Sequence, residues 1–493
     1  MPLPTFLYSA AQVRALDAYA IESLGVPGYT LMKRAGEASL RYLRSRWPTA
    51  YRVVIVCGSG NNGGDGYVLA RFAQAAGLTV SVLATTPRNA LKGDARQAFD
   101  DFAASGGRAQ PFSEALLGEG EVIVDALLGT GVRGSVREEL VPIINSINSA
   151  GRPVCALDVP SGLDSDRGVP LGATVRADCT VSFVGLKTGL LIGDGPEFAG
   201  TVYFDDLEVS APANESFRPR LERIQESEIL QALPRRARKA HKGDFGRVLI
   251  VGSGVGMPGA VRLAGEACLR VGAGLVTVAV APDNVGAIAS GRPELICLPL
   301  SEVEALHDPI ERADVVAIGP GLGRSAWARR ALDAVLESDK PLVVDADALN
   351  LIAESGSKPR DNWILTPHPG EAARLLGMSS TADVQTDRLA ALGALVERYR
   401  GTVVLKGAGT LVGAPGRIPG VCERGNPGMA SAGMGDVLTG AIAGILAQCR
   451  DPWLATRVGV LVHAMAGDAV ARTGERGLLA SDVARELRTC VNL

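Results

Sequence analysis

Aromatic residues are few in this 493-residue chain, 4 % of the total, and there is no excess of positive charge: the formal net charge is −3. Without a Lys/Arg stripe interleaved with aromatics, no nucleic-acid partner is expected. The one basic cluster, PRRARKAHKGDFGR from Pro234 to Arg247, is short and reads equally as a solvated linker. The eight cysteines contain no Cys-x-x-Cys pair and no Cys/His ligand spacing, so they read as buried thiols of a reducing compartment. A basic n-region followed by an apolar core is missing at the N-terminus, so no signal peptide is expected. The longest apolar stretch, VLTGAIAGILAQC, is too short and too glycine-rich to cross a bilayer. A phosphate-binding G-x-x-x-x-G-K-[ST] loop is also lacking. The expectation is a cytoplasmic protein with neither a membrane nor a nucleic acid as partner.

What the chain has is glycine, 60 residues of it, and a hydrophobic fraction of 47 %, ample for sizeable cores. Its length exceeds one ordinary domain. Short β-branched runs predict strands at 52–57, 79–84, 121–127, 153–159 and 178–184, with helices at 66–76, 91–104 and 137–149. The pattern restarts at 247–254 and continues through 274–281, 313–323, 341–349 and 402–410 into a helical C-terminus from about Gly433. Such alternation implies parallel sheets with helices on both faces. Residues 208–228 are polar and carry no strand period, which places the boundary there. The fold class is α/β: a Rossmann-like parallel three-layer domain over 1–212, then a second α/β domain over 222–493.

The first glycine loop lies in VVIVCGSGNNGGDGYVLAR, Val53 to Arg71. GSGNNG matches a loose G-x-G-x-x-G, but a nicotinamide-dinucleotide site of that type needs an acid ending the second strand, ~20 residues on. Here that strand ends LATTPRN, with no acid. The glycines permit close approach of an anion, and Asp65 is placed to cap the following helix. Asn61 and Asn62 tolerate left-handed backbone and offer carbonyl oxygens to a weakly hydrated cation or an amide-bearing ligand. Two later strand ends, VDALLGTGVRG with Asp125 and ALDVPSGLDSD with Asp158, Pro160 and Ser161, should converge on the same crevice. A tight turn with a helix cap explains any one of these loops. It does not explain two acids, an asparagine pair and three glycine turns at one edge.

With the earlier helix AQVRALDAYAIESLGVPGYTLMKRAGEA, these motifs resemble the NAD(P)H-hydrate epimerase domain over nearly all of residues 1–210. The resemblance implies a substrate cradle made by Asn61, Asn62, Gly63, Gly64 and Asp65 and by Gly129, Thr130, Gly131, Val132, Arg133, Gly134 and Ser135. It also implies a potassium ion held by Asn62, Asp125 and Ser161, with Asp158 as the substrate-contacting acid/base residue. Lys187, in GLKTGL, reads either as a phosphate ligand or as cover for a sheet edge.

The C-terminal half carries different motifs. LKGAGT (405–410) is a strand followed by a small-residue turn, with Lys406 at its mouth, suited to nucleotide phosphates. GNPGMASAGMGDVLTG (425–440) sets Gly433, Gly435 and Asp436 immediately before an apolar helical run. Backbone N–H groups there can stabilise charge on a transferring phosphoryl group, and Asp436 can take a proton from an attacking hydroxyl. The plain alternative for Asp436 is a helix N-cap, which does not exclude catalysis. AIGPGLG (317–323), VVDADAL (343–349) and LTPHPGEAARLL (365–376) complete the set; His368, between two prolines, reads as a substrate contact.

These motifs resemble the ribokinase-like fold, most closely the ADP-dependent NAD(P)H-hydrate dehydratases, from about Leu233 to the C-terminus. The resemblance implies that Ala260, Gly321, Gly323 and His368 contact the hydrated dinucleotide. It assigns the adenine nucleotide to Lys406, Gly407, Ala408, Gly409, Thr410 and Gly435, and places Asp436 at the transferred phosphate and the substrate. Ala432 and Met434 stand where the family has small or polar residues, leaving the Gly and Asp roles intact. The implied chemistry is epimerisation of hydrated NADH or NADPH and its dehydration with ADP and Mg2+, giving AMP; a homo-oligomer is the expected assembly. Two rivals stand beside it. One is a ribokinase-like small-molecule kinase with an accessory Rossmann-like domain, and the other is a non-enzymatic binding role for the first half.

Overall fold

The apolar run Arg52–Cys57 forms an inner strand of a sheet whose order is Ala109–Pro111, Thr79–Ala84, Arg52–Cys57, Val122–Ala126, Val154–Leu157, Cys179–Phe183, Thr201–Asp205. Every neighbouring pair in it is parallel. The computed structural model describes residues 3–132, 134–212 and 217–492. The chain divides into two units, Met1–Leu221 and Glu222–Leu493.

In the first unit, one face of the sheet is covered by the helices Ala10–Glu22, Gly28–Arg46, Asn61–Ala75 and Gly93–Ala104, the other by Val141–Ser149. Strand order reverses between Arg52–Cys57 and Val122–Ala126, so the loops leaving these strands diverge to opposite faces and open a crevice. Gly58 belongs to this junction: a Cβ there would lie 1.9 Å from the Leu127 carbonyl oxygen, so the two strand ends meet only because it has none.

The second unit repeats the device. Its sheet runs Ile296–Pro299, Leu275–Val280, Arg247–Val251, Val315–Ile318, Leu342–Val344, Trp363–Leu365, Thr402–Leu405, Thr410–Gly413, Gly420–Cys422, reversing between Arg247–Val251 and Val315–Ile318. The helices Pro258–Arg270, Met434–Cys449, Pro452–Ala471 and Ala480–Cys490 pack one continuous core against it.

Several expectations need correction. The stretch Asn61–Asp65 is not a loop but the first turns of the helix Asn61–Ala75, whose N-cap is Gly60. Asp65 therefore caps nothing, and neither asparagine makes use of the left-handed backbone it could tolerate. The second sheet is not wholly parallel, because Thr402–Leu405, Thr410–Gly413 and Gly420–Cys422 form an antiparallel meander. The polar segment 208–228 contains a short strand, Leu221–Arg223, whose residues Glu222 and Arg223 pair with Gly420 and Val421. The helix Pro452–Ala471 is longer than the VLTGAIAGILAQC run and, by length and composition, could span a bilayer. Most of it is buried in the core of the second unit, where Arg457 is held by Glu222 and Glu228.

Candidate active sites

At the crevice of the first unit lies a cavity of about 600 Å3. Of the expected cradle, Asn61, Asn62, Asp65, Gly129, Thr130, Gly131, Val132 and Ser135 line it, together with Asp158 and Lys187. Gly63 and Gly64 face inward instead, packed against the Gly58 backbone and the Met32 side chain. Gly134 is a left-handed turn residue at φ +72°, and Arg133 lies outside the described residues.

Asp125, Ser161 and Asn62 are brought together at the floor. Asp125 is fully buried, accepting from the Ser161 hydroxyl at 2.7 Å, the Ser161 N–H at 2.8 Å and the Leu127 N–H at 3.1 Å. Burial raises its pKa, and these hydrogen bonds oppose the rise. No lysine or arginine pairs with Asp125 among the described residues. Asn62 donates to the Leu128 carbonyl at 2.9 Å, while its Oδ1 is buried and has no hydrogen-bond partner. A buried carboxylate without a cation, beside an orphaned amide oxygen, is a donor set that suits a weakly hydrated monovalent cation better than a divalent one.

Asp158 ends the next strand in left-handed backbone, φ +65°, a conformation that costs a non-glycine residue energy and aims its side chain across the crevice. Lys187 donates to its Oδ1, and the Thr130 N–H lies 3.4 Å from its Oδ2. Lys187 has a charge partner that neither sequence reading offered. It is 1 % exposed and tied to the Phe183 carbonyl at 2.7 Å, so it serves as the buried counter-charge of Asp158. Asp65 stands in the same field; burial, then the charges of Asp158 and Asp17, raise its pKa well above the usual range. Asp17, on the helix Ala10–Glu22, was not foreseen from the sequence, yet it also lines the cavity.

The second site centres on Lys406. Its Nζ is 2.7 Å from Asp345 Oδ1 and 3.7 Å from Glu371 Oε2. The Thr439 hydroxyl donates to the other oxygen of Asp345 at 2.8 Å. Burial alone would raise Asp345, but Lys406 and the hydroxyl bonds outweigh it and hold the carboxyl below its ordinary range. Asp436 differs. Burial, then the Asp345 charge, pushes it up to about 7, and burial does the same to Glu371, also to about 7.

Asp436 is the third residue of the helix Met434–Cys449, whose N-cap is Gly433, so the N-cap alternative does not hold. No side chain caps that helix start, which leaves its first N–H groups to a ligand or water. A Cβ on Gly435 would lie 3.4 Å from both Asp345 Oδ2 and Lys406 Nζ, so this glycine keeps open a space directly over the pair. Gly407, Ala408 and Gly409 form the turn of the antiparallel hairpin, closed by the Thr410 hydroxyl on the Gly407 carbonyl at 2.8 Å.

Ala260 and Gly321 meet, since a Cβ on Gly321 would be 3.0 Å from that of Ala260. The Gly323 N–H donates to Asp347 at 2.8 Å, and the Asp347 charge reaches Asp436. His368 caps its own helix: Nδ1 accepts from the Gly370 N–H at 3.0 Å, while Nε2 lies 3.5 Å from Glu371. Asp345, Glu371 and His463 were not named as site residues from the sequence. Asp345 lies within the motif VVDADAL, and the fold brings it beside Lys406. His463, buried with Nε2 unpartnered and lowered to about 4 by that burial, sits on the neighbouring helix Pro452–Ala471.

The family model described as NAD(P)H-hydrate dehydratase matches residues 248–489, and that described as YjeF-related protein N-terminus matches residues 28–189. The chain is 48 % identical over 489 residues to the bifunctional NAD(P)H-hydrate repair enzyme Nnr of Coxiella burnetii, covering 99 % of this chain and 100 % of that protein. It is 42 % identical over 493 residues to the protein of the same description from Escherichia coli, covering 99 % of this chain and 95 % of the other. Among solved structures it resembles the ADP/ATP-dependent NAD(P)H-hydrate dehydratase of Bacillus subtilis, co-crystallised with ATP/Mg2+. The TM-score is 0.51 at 30 % identity, covering 54 % of this chain and 96 % of that one.

Proposed function

The chain belongs to the family of bifunctional NAD(P)H-hydrate repair enzymes, and from that premise we propose how its two sites divide the work. Water added across the enamine double bond of reduced nicotinamide leaves a hydroxyl on the carbon beside the ring nitrogen, in either configuration. The first unit interconverts the two epimers. The second dehydrates the S epimer back to NADH or NADPH. One observation carries the division: each unit has its own lysine–carboxylate pair with one partner buried, Lys187 with Asp158 and Lys406 with Asp345, beside its own glycine turns.

In the first unit the diphosphate lies against the helix start at Asn61–Asp65 and the residues Gly129, Thr130, Gly131 and Ser135 that line the cavity. Asp158, its charge balanced by Lys187, moves the proton of the hydroxyl at the epimerised carbon. Asn62, Asp125 and Ser161 would hold potassium, which would supply a counter-charge to the buried Asp125 carboxylate beside the substrate.

In the second unit Ala260, Gly321, Gly323 and His368 hold the hydrated ring. ADP lies on Lys406–Thr410 and Gly435, with its terminal phosphoryl group at the open start of the helix Met434–Cys449. Asp436 accepts the proton of the substrate hydroxyl as that oxygen takes the phosphoryl group, and AMP departs. The C–O bond then breaks with its electron pair leaving on phosphate. Loss of a proton from the adjacent ring carbon restores the double bond. Mg2+ would be held chiefly on the nucleotide phosphates and would supply charge neutralisation for the transferred phosphoryl group.

The test is stoichiometry. With hydrated NADH and ADP, one AMP and one phosphate should appear for each reduced nicotinamide recovered, measured by absorbance and chromatography. Accumulation of a stable phosphorylated small molecule instead would favour the kinase alternative.

A further inference from the structure

The cavity of the first unit has a wall that the motifs do not supply. Val13, Arg14, Asp17 and Ile21 of the helix Ala10–Glu22 line it at helical spacing. The Arg14 guanidinium donates to the Thr130 carbonyl at 3.2 Å, which ties this wall to the turn at Gly129–Ser135. Asp17 makes no hydrogen bond or ion pair among the described residues, although burial and the charges of Lys187, Asp158 and Arg14 all act on it. Asp158 reaches the cavity from a strand end and is already committed to Lys187. The other two carboxyls that line the cavity, Asp65 and Asp94, belong to the helices Asn61–Ala75 and Gly93–Ala104. An uncommitted carboxyl on one wall thus accompanies a lysine-bound carboxylate on another.

Inversion at a carbon bearing a hydroxyl needs proton traffic on both faces. We propose that Asp17 is the second proton-transfer group of the epimerase site, serving one face of the ring carbon while Asp158 serves the other. This rests on the assignment of epimerisation to the first unit. In one direction the Asp17 carboxyl gives its proton to the hydroxyl. The C–O bond breaks, its electron pair leaves with water, and the ring-nitrogen lone pair forms a C=N bond. Water then adds from the opposite face, the C=N pair returns to nitrogen, and the added water's proton passes to the Asp158 carboxylate. The sum is one water lost and one gained, with a proton moved from Asp17 to Asp158. Exchange with solvent resets both, and the reverse direction runs the same steps backwards. Burial, followed by the opposing charges of Lys187, Asp158 and Arg14, sets Asp17 at about 6, a carboxyl still able to hold a proton near neutrality.

The test uses the full chain, whose dehydration of purified S epimer reports that the rest of the protein is intact. Asp17→Asn should lower kcat for epimer interconversion by about 10²-fold or more. Its KM should stay within about threefold, with dehydration unchanged and partial rescue in Asp17→Glu. The wild type should lose turnover of one epimer as pH rises above about 6, and the Asn variant should lose that limb. Interconversion within about threefold of wild type, or a change confined to KM, would overturn the proposal. Absence of interconversion in the wild type would overturn the epimerase assignment itself.

Discussion

Lys406 Nζ donates to Asp345 Oδ1 across 2.7 Å, beneath the start of the helix that carries Asp436. The lysine thus neutralises Asp345 rather than Asp436. The pair leaves Asp436 as a carboxyl whose proton affinity is raised to near neutrality, as is that of Glu371. Asp436→Asn keeps the shape and removes the base, so dehydration should fall by about 10²–10⁴-fold. Epimerisation, in the other unit, should not change. Initial rates with separated epimers check both.

The same shift fixes a pH dependence. As a base Asp436 works ionised, so dehydration should decline as pH falls through about 7. Glu371, also at about 7, titrates in the same range, so Asp436→Asn is needed to assign the limb to Asp436. A rate profile at saturating ADP, flat from pH 6 to 8, would remove Asp436 as the base.

Stability should move the opposite way. A carboxyl whose folded pKa is raised from 3.8 to about 7 binds protons more tightly folded than unfolded. Stability is therefore lost as pH rises from the unfolded value through the folded one, and the loss is complete above about 7. Asp436→Asn should then raise the melting temperature of the second unit at pH 8 by about 2–4 °C for each kcal/mol recovered, and leave it unchanged near pH 4. Calorimetry at the two pH values checks the sign.

Gly435→Ala tests whether the space over Lys406 belongs to a ligand. The added methyl meets nothing closer than 3.4 Å, so the fold should tolerate it. The KM for ADP should rise by about tenfold or more, with a melting temperature close to wild type. Unchanged nucleotide affinity would move the binding site elsewhere.

Much of this was legible in the chain. Strand–helix alternation gives the two sheets, and a glycine turn after a strand marks a place where backbone must approach something closely. Other features depended on tertiary placement. Asp65 reads as a cap because polar residues after glycine usually cap, yet helix geometry begins at Asn61 and carries Asp65 inside. Lys187 has no sequence signal tying it to Asp158, 29 residues away, and only the tertiary fold creates the pair. Asp17 is one charge on an amphipathic helix, indistinguishable from a solvated face until the cavity is seen to include it. The antiparallel meander was missed because its strands are only three or four residues long.

The potassium assignment predicts that replacing K+ by a large organic cation at equal ionic strength slows epimerisation, and that Asp125→Ala mimics the loss. Dehydration should respond instead to chelation of divalent ions. Epimerisation indifferent to K+ but quenched by a divalent chelator would assign the wrong metal to Asn62, Asp125 and Ser161.

The most direct measurement follows a mixture of both epimers of hydrated NADH with ADP and Mg2+, on a timescale where uncatalysed interconversion is negligible, by the absorbance of reduced nicotinamide. The wild-type chain should return the whole mixture to NADH. Asp158→Asn should consume the S epimer at the wild-type rate and then stop with the R epimer untouched. A wild-type reaction that halts at one epimer, or an Asp158 variant that completes the mixture as fast as wild type, would contradict the account.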